Sequence, residues 1–150
     1  MGGSGYAKGD DMKISLTDRS LYLKGLMLLI RKDREIRDEE KRIVMSIGNI
    51  LGFDTKFCED TIKHVLINKH IVDEPPHFSK PGIAECFIRD GLRVSLVDKQ
   101  MHEAELGWLE AVAQENGLSE TWYKTSVEAV SDEGWPDLAS DMEANRLEWE

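Results

Sequence analysis

The apolar positions of this chain recur at intervals of three and four residues along most of its length. A period near 3.6 residues predicts α-helices, and the two-residue alternation of half-buried strands is scarce. The pattern predicts an all-α fold, a compact bundle of about six to seven helices. The first helix is expected to start near Thr17 or Asp18, one of which is the predicted N-cap, and to run to about Lys32. Leu21 and the apolar cluster at 26–30 make this helix apolar nearly all round. This helix is therefore predicted to lie at the centre.

Signals at the ends of the later helices set their limits. Glycine after a helix readily takes positive φ, so Gly52 and Gly117 are predicted to end the second and fifth helices. Residues 71–80 contain Pro75 and Pro76 and are predicted to form a loop between the two halves of the chain. Short polar side chains favour N-cap positions, and the predicted caps are Asp38, Asp54, Ser79 and Ser119. The third helix is expected to bury Phe57, Ile62, Val65 and Leu66.

Two halves of the chain match each other without a gap. Residues 21–66 align on residues 86–131 at a shift of 65 residues, and the matched positions share chemical roles more often than identity. Each half reads as a helix, an acidic turn, a second helix, a glycine and a third helix. Equal spacing predicts equal helix lengths, and two such units would pack face to face. The paired positions include Asp33 with Asp98, Glu40 with Glu105, and Gly52 with Gly117.

The chain divides into three expected regions. Residues 1–14 are predicted to be a flexible leader, residues 15–131 the helical domain, and residues 132–150 an acidic tail. Trp135 and Trp149 suggest that this tail docks on the bundle as a short helix. At 150 residues and 41% hydrophobic content, the chain can form one core.

The remaining composition points to a cytoplasmic location. No apolar run is long enough to span a bilayer, and the first residues lack the apolar block of a signal peptide. Cys58 and Cys86 do not make a disulfide framework and are interpreted as reduced thiols.

Net charge constrains the partners. The chain carries −10, of which residues 131–150 contribute −6, with seven acidic residues against Arg146. Such a balance repels nucleic acid and anionic membranes and favours basic protein partners or cations. The alternative is that the acidic residues serve only solubility.

The two acidic turns are candidate sites for a divalent cation. Calcium and magnesium prefer carboxylate oxygens, and several must converge. The alternative is structural, because acidic residues in the first turn of a helix satisfy free amides and complement the helix dipole without a metal. Zinc is disfavoured, since no histidine or cysteine pair has zinc-site spacing. The candidate ligands are Asp33, Asp38, Glu39, Glu40, Asp98, Glu103 and Glu105.

Catalytic signatures do not emerge from the sequence. There is no glycine-rich phosphate loop and no nucleophile elbow, so no catalytic residue is assigned and a non-enzymatic role is predicted. Two alternatives stay open at this point. One is a metal-dependent enzyme that uses the loop carboxylates, and the other is a structural adaptor without a ligand.

Several segments resemble the TerB-like family of tellurite-resistance and stress-response proteins. They are LMLLIRKD, DREIRDEE, DKQMHEAE and ELGWLEAVAQENGLS, and the resemblance covers about residues 21–130. It implies an all-helical bundle with two acidic loops that bind a divalent cation, acting as a module in co-chaperone-like or membrane-associated stress complexes. Asp33, Glu40, Asp98 and Glu105 match the family's loop acids. The family usually has glycine after the loop aspartate, where this chain has Arg34 and Lys99.

Overall fold

A computed structural model of the chain describes residues 13–32, 38–68, 70–96, 102–133 and 142–149. In chain order the elements are β1 (Lys13–Ile14), α1 (Leu16–Arg31), α2 (Asp38–Ile50), α3 (Thr55–Ile67), α4 (Pro81–Ser95), α5 (Glu103–Glu115), α6 (Glu120–Glu133), a 3₁₀ helix (Glu143–Arg146) and β2 (Glu148–Trp149). The predicted all-α bundle is confirmed. None of the described helices is long and apolar enough to cross a membrane.

The helix bounds reproduce the internal repeat. The starts of α4, α5 and α6 follow those of α1, α2 and α3 by 65 residues in each case, the shift seen in the sequence. Within the first unit α1 packs on α2 and α3, and within the second α4 packs on α5 and α6. Helices α1 and α4 also contact each other, so the first helices of the two units join the halves at the centre of the bundle.

The same backbone motif ends α2 and α5. Gly52 has φ +95° and Gly117 has φ +73°, values that favour glycine. In each case the next residue reaches back to the helix: the Phe53 amide donates to the Gly48 carbonyl at 2.9 Å, and the equivalent bond in the second unit is also 2.9 Å. This is the Schellman arrangement. The predicted N-caps of α3 and α6 are also confirmed. Asp54 accepts from the Phe57 amide at 2.7 Å, and Ser119 accepts from the Trp122 amide at 3.0 Å.

Aromatic rings fill the centre of the bundle. The Phe87 ring of α4 is fully buried and lies 5.3 Å from the centroids of both Tyr22 and Phe78 and 6.2 Å from that of Trp108. Helix α1 approaches this cluster at Gly25, where an added Cβ would lie 2.7 Å from two Phe87 ring atoms. Because that distance is well below van der Waals contact, the close packing of α1 against α4 requires glycine here.

The predicted loop at 71–80 is anchored to the helices by hydrogen bonds and an ion pair. The Asn116 side chain donates to the Pro76 carbonyl at 2.8 Å and accepts from the Phe78 amide at 2.8 Å. The Trp108 indole donates to the Asp73 carbonyl at 2.8 Å, and Arg31 pairs with the Asp73 carboxylate. These bonds explain how a segment without helix or strand can bury Phe78 almost completely.

The predicted caps of α1 and α4 are wrong. Ser15 is the N-cap of α1, and its hydroxyl accepts from the Asp18 amide at 3.2 Å, so neither Thr17 nor Asp18 has that role. Asp18 is instead buried, and its carboxylate accepts from the Ser79 amide at 3.1 Å and from the Ser79 hydroxyl. The Ser79 hydroxyl thus bonds Asp18 and does not cap α4. Lys80 is the N-cap residue of α4, and its side chain makes no cap hydrogen bond.

The ends of the described chain lie together. Strands β1 and β2 pair in parallel, with Lys13 opposite Glu148 and Ile14 opposite Trp149. Residues 1–12 and 134–141 lie outside the described residues, so most of the predicted leader and the first part of the predicted tail helix cannot be placed. The last described residues form the 3₁₀ helix and β2, and their buried side chains are Met142, Ala144 and Leu147.

One predicted core residue is exposed. Phe57 on α3 is 48% exposed and stacks on Phe53, with 5.2 Å between ring centroids. Its equivalent in the second unit, Trp122, is partly buried and lies beneath the guanidinium of Arg89 at 5.4 Å. The predicted burial of Phe57 is wrong because it sits on the outer side of α3, whereas Trp122 is covered by a cation from α4.

Candidate functional site

The predicted cation ligands are only partly within the described residues. Asp33 and Asp98, which open the two acidic turns, lie outside them. Helix α2 begins at Asp38, so the predicted cap is already in the first helical turn, where Asp38 and Glu39 are exposed. Glu103 is exposed in the first turn of α5. At the two helix starts that follow the acidic turns, the exposed carboxylates are therefore two at the start of α2 and one at the start of α5.

The other two predicted ligands, Glu40 and Glu105, are buried at equivalent positions. Glu40 is 2% exposed and Glu105 is 1% exposed, and the Ser95 hydroxyl donates to Glu105 at 3.3 Å. A carboxylate in the first turn of a helix stabilises the free amides there. Within the described part of the chain, no group of three or more histidine, cysteine or acidic side chains is arranged to hold a metal ion.

The burial of these glutamates has a signal in the sequence that the metal hypothesis overlooked. Glu40 precedes Ile43, Val44 and Ile47 by three, four and seven residues, so it shares their buried face of α2. Glu105 stands in the same relation to Trp108, Leu109 and Val112 on α5. Helical periodicity therefore assigns both carboxylates to the core side of the helix rather than to the solvent side.

The thiols are also placed in the core. Cys58 and Cys86 are free and buried. Burial, reinforced by the charge of Asp54, raises the pKa of Cys58, and burial together with Glu143 and Asp90 raises the pKa of Cys86 to about 12. Both thiols therefore stay protonated near neutral pH, the opposite of an activated nucleophile.

The strongest charge asymmetry lies on α5 and α6. Residues 103–133 contain eight acidic residues and one basic residue, Lys124, a net charge of −7. The equivalent residues of the first unit, 38–68, contain six acidic and four basic residues, a net charge of −2. Glu133 is exposed but pairs with Arg93. We name the other exposed carboxylates of α5 and α6 the acidic face: Glu103, Glu115, Glu120, Glu128 and Asp132.

Two acidic residues of the predicted acidic tail are paired within the protein. Glu133, at the end of α6, accepts two bonds from Arg93, at 3.1 Å from Nε and 3.0 Å from Nη2. Glu143 lies 3.0 Å from Arg146 and 3.4 Å from Arg89. These carboxylates are therefore paired with arginines, and among residues 13–32, 38–68, 70–96, 102–133 and 142–149 the excess of exposed carboxylates lies mainly on α5 and α6.

The same ion pairs line a cleft between α4, α6 and the 3₁₀ helix. We name it the arginine cleft; its volume is about 440 Å³. Three arginines, two glutamates and the Trp122 ring form most of its wall, and the residues are Arg89, Arg93, Trp122, Thr125, Ser126, Ala129, Val130, Glu133, Glu143 and Arg146. Nothing in the sequence pattern indicated this cleft, because its charged side chains come from three separate segments.

Asp90 connects α1, α4 and the tail beneath this cleft. It is fully buried, accepts from the Tyr22 hydroxyl at 2.7 Å, and accepts from the amides of Glu143 at 2.6 Å and Ala144 at 3.0 Å. Arg93 Nη1 lies 3.5 Å away. Burial raises the pKa of Asp90 to about 6 although each of these donors lowers it. This single carboxylate thus holds the start of the 3₁₀ helix against the bundle.

Comparison with known proteins adds no family assignment. No protein-family model, curated protein or solved structure matches this chain. The resemblance to TerB-like proteins stays a prediction from the residues that carry it.

Proposed function

We propose that this chain is a non-enzymatic interaction module that binds a lysine- or arginine-rich segment of a protein partner through its acidic face. The observation that carries the proposal is a difference in charge between the exposed residues of the two units. Leaving out Glu133, which pairs with Arg93, the exposed charged residues of 103–133 are the five carboxylates of the acidic face and Lys124, a net charge of −4. Those of the equivalent residues 38–68 are five carboxylates and three basic residues, a net charge of −2. Two units with the same helices differ in surface charge, so the fold does not demand the acidic residues of the second unit. A basic partner is the complement that such a surface favours.

The centre of the proposed surface is a row along α6. Glu120, Lys124, Glu128 and Asp132 are spaced four residues apart and are all exposed, so they follow one side of the helix. Lys124 pairs with Glu120 at 2.9 Å. From Glu128 to the end of α6 the helix contains no basic residue. Glu128 and Asp132 are therefore the carboxylates of this row best placed to meet cations from a partner.

The buried polar groups support a binding role over catalysis. Asp18 and Asp90 hold the proline loop and the tail, and Glu105 bonds Ser95 inside the bundle. Each is used for structure, and both thiols have raised pKa values. The TerB-like resemblance supports the further proposal that this module works in a stress-response or tellurite-related protein complex.

Charge reversal on α6 tests the proposal. We expect the double substitution Glu128→Lys with Asp132→Lys to weaken binding of an oligolysine peptide about tenfold or more, a change of about 1.4 kcal/mol. The reason is that two attractive contacts become repulsive ones. The dissociation constant is measured by isothermal titration calorimetry at low and at physiological salt.

The matched control lies on the equivalent helix of the first unit. Glu59→Lys with Asp60→Lys makes the same change of charge on α3, where both residues are exposed. We expect this variant to weaken binding by less than about threefold, because it alters net charge without altering the acidic face. Equal losses in the two variants would show that the peptide responds to net charge alone and would overturn the assignment to α6.

A divalent cation at the acidic turns is part of the same proposal. The exposed carboxylates Asp38 and Glu39 favour the first turn over the second, where Glu103 stands alone among the described exposed acids. We expect millimolar calcium or magnesium to shift the amide resonances of Asp38 and Glu39 more than that of Glu103. A two-dimensional amide spectrum recorded during the titration measures this, with Glu59 as the control. Unmoved resonances at both helix starts would refute the cation site.

A further inference from the structure

We propose that the arginine cleft binds a small organic anion through a carboxylate or phosphate group. The proposal goes beyond the acidic face, which takes a basic partner. The cleft lies on the other side of α6 and brings the guanidinium groups of Arg89, Arg93 and Arg146 to one concave surface. A volume of about 440 Å³ is within the range of small-molecule sites.

Arg93 is the residue on which the site is built. Its side chain is 9% exposed, so it is held in place by the surrounding protein. Its Nη1 atom is buried and has no hydrogen-bond acceptor within the described residues; the nearest carboxylate oxygens, of Asp90 and Glu143, are each 3.5 Å away. This buried Nη1 atom faces Asp90 and Glu143, and their charges help to fix the guanidinium. The edge suited to a planar or tetrahedral oxyanion is therefore the one formed by Nε and Nη2.

Glu133 already occupies the ligand position with the geometry expected of a bound anion. Its two carboxylate oxygens take the Nε and Nη2 edge of Arg93 at 3.1 and 3.0 Å, a bidentate arrangement. Its side chain is 43% exposed at the end of α6, so it can turn to solvent without disturbing the core. An incoming carboxylate or phosphate would replace it on the same edge of Arg93.

The rest of the cleft provides further donors. Arg89 lies over the Trp122 ring at 5.4 Å and Arg146 lies on the opposite side, next to Glu143. Ser126 is also part of the wall. An oxyanion bound on Arg93 would thus have a second guanidinium and a serine within the same cleft.

The negative net charge of the protein does not exclude an anion here. Exposed charges are screened beyond about 8–10 Å at physiological salt. Direct bidentate bonds to a buried guanidinium act at shorter range and are weakened less by salt. Near the cleft the three arginines are balanced by Glu133, Glu143 and Asp90, so an anion that displaces Glu133 from Arg93 meets three guanidinium groups and two remaining carboxylates.

Replacing Glu133, the carboxylate that pairs with Arg93, tests the proposal directly. We expect Glu133→Gln to bind inorganic phosphate or succinate about tenfold more tightly than the wild type, because the ligand then displaces a neutral amide instead of a carboxylate. The titration is carried out at constant ionic strength and followed by the indole resonance of Trp122 and the Nε resonance of Arg93. Comparing the two anions shows whether phosphate or carboxylate is preferred.

Glu128→Gln is the matched control, since it makes the same change of charge on the exposed side of α6. It should alter anion affinity by less than about twofold. Arg89→Gln should weaken binding in the Glu133→Gln background severalfold, and thermal unfolding monitors folding of each variant. The proposal is overturned if neither anion gives a saturable shift in wild type or Glu133→Gln, or if both glutamine variants respond alike.

Discussion

Replacing Asp90 by alanine is expected to destabilise the protein by about 3–5 kcal/mol, because it removes the acceptor for several buried donors at once. The Tyr22 hydroxyl and the amides of Glu143 and Ala144 all donate to this carboxylate. Arg93 would also lose one of its buried counter-charges. The loss is measured as the free energy of unfolding from denaturant titrations followed by circular dichroism.

Tyr22→Phe separates the hydrogen bonds of Asp90 from its packing. This variant removes one donor and keeps the ring that packs on Phe87, so we expect a loss of about 1 kcal/mol. In the Asp90→Ala variant, amides of the 3₁₀ helix should also exchange with solvent faster than those of α5. If the two variants are equally stable, Asp90 does not hold the tail as the geometry indicates.

Replacing Gly25 by valine is expected to cost about 3 kcal/mol through overpacking. An added Cβ already lies 2.7 Å from the Phe87 ring, and Tyr22, Phe78 and Trp108 surround that ring and leave it little room to shift. Helix α1 would have to move away from α4, which would loosen the contact between the two units. Thermal and denaturant unfolding of the variant measure the effect.

Gly107→Val is the matched control for this substitution. Gly107 is also inside a helix, but an added Cβ there has no neighbouring atom within 4 Å. Valine has a higher helix propensity than glycine, so we expect a change within about 0.5 kcal/mol, in the stabilising direction. A loss at Gly107 as large as that at Gly25 would mean that backbone effects, and not contact with Phe87, set the result.

The helices could be predicted from the sequence because their limits depend on nearby residues. Gly52 and Gly117 end helices through their own φ, and Asp54 and Ser119 cap helices by bonding an amide three residues on. Such signals depend only on neighbouring residues, so they can be recognised without knowledge of the fold. Because the helix starts of the second unit follow those of the first by 65 residues, each signal in one unit also predicted its equivalent in the other.

The misassigned residues depend on distant partners. Asp18 looks like a cap, but its carboxylate bonds Ser79, 61 residues away. Glu133 looks like a free acid in a tail, but it pairs with Arg93, 40 residues away. Periodicity shows which side of a helix a residue occupies; it does not show which charged residue of another helix lies opposite. The candidate site was therefore harder to predict than the fold.

The pairing of β1 with β2 has a mechanical consequence. Because the strands are parallel, a force that pulls residue 13 and residue 149 apart would draw the strands in opposite directions along their length. Both residue pairs of the ladder would then bear load together in shear, instead of separating one after the other. If the protein is tethered through both strands, the hydrogen bonds between β1 and β2 would bear the tension before the helices do.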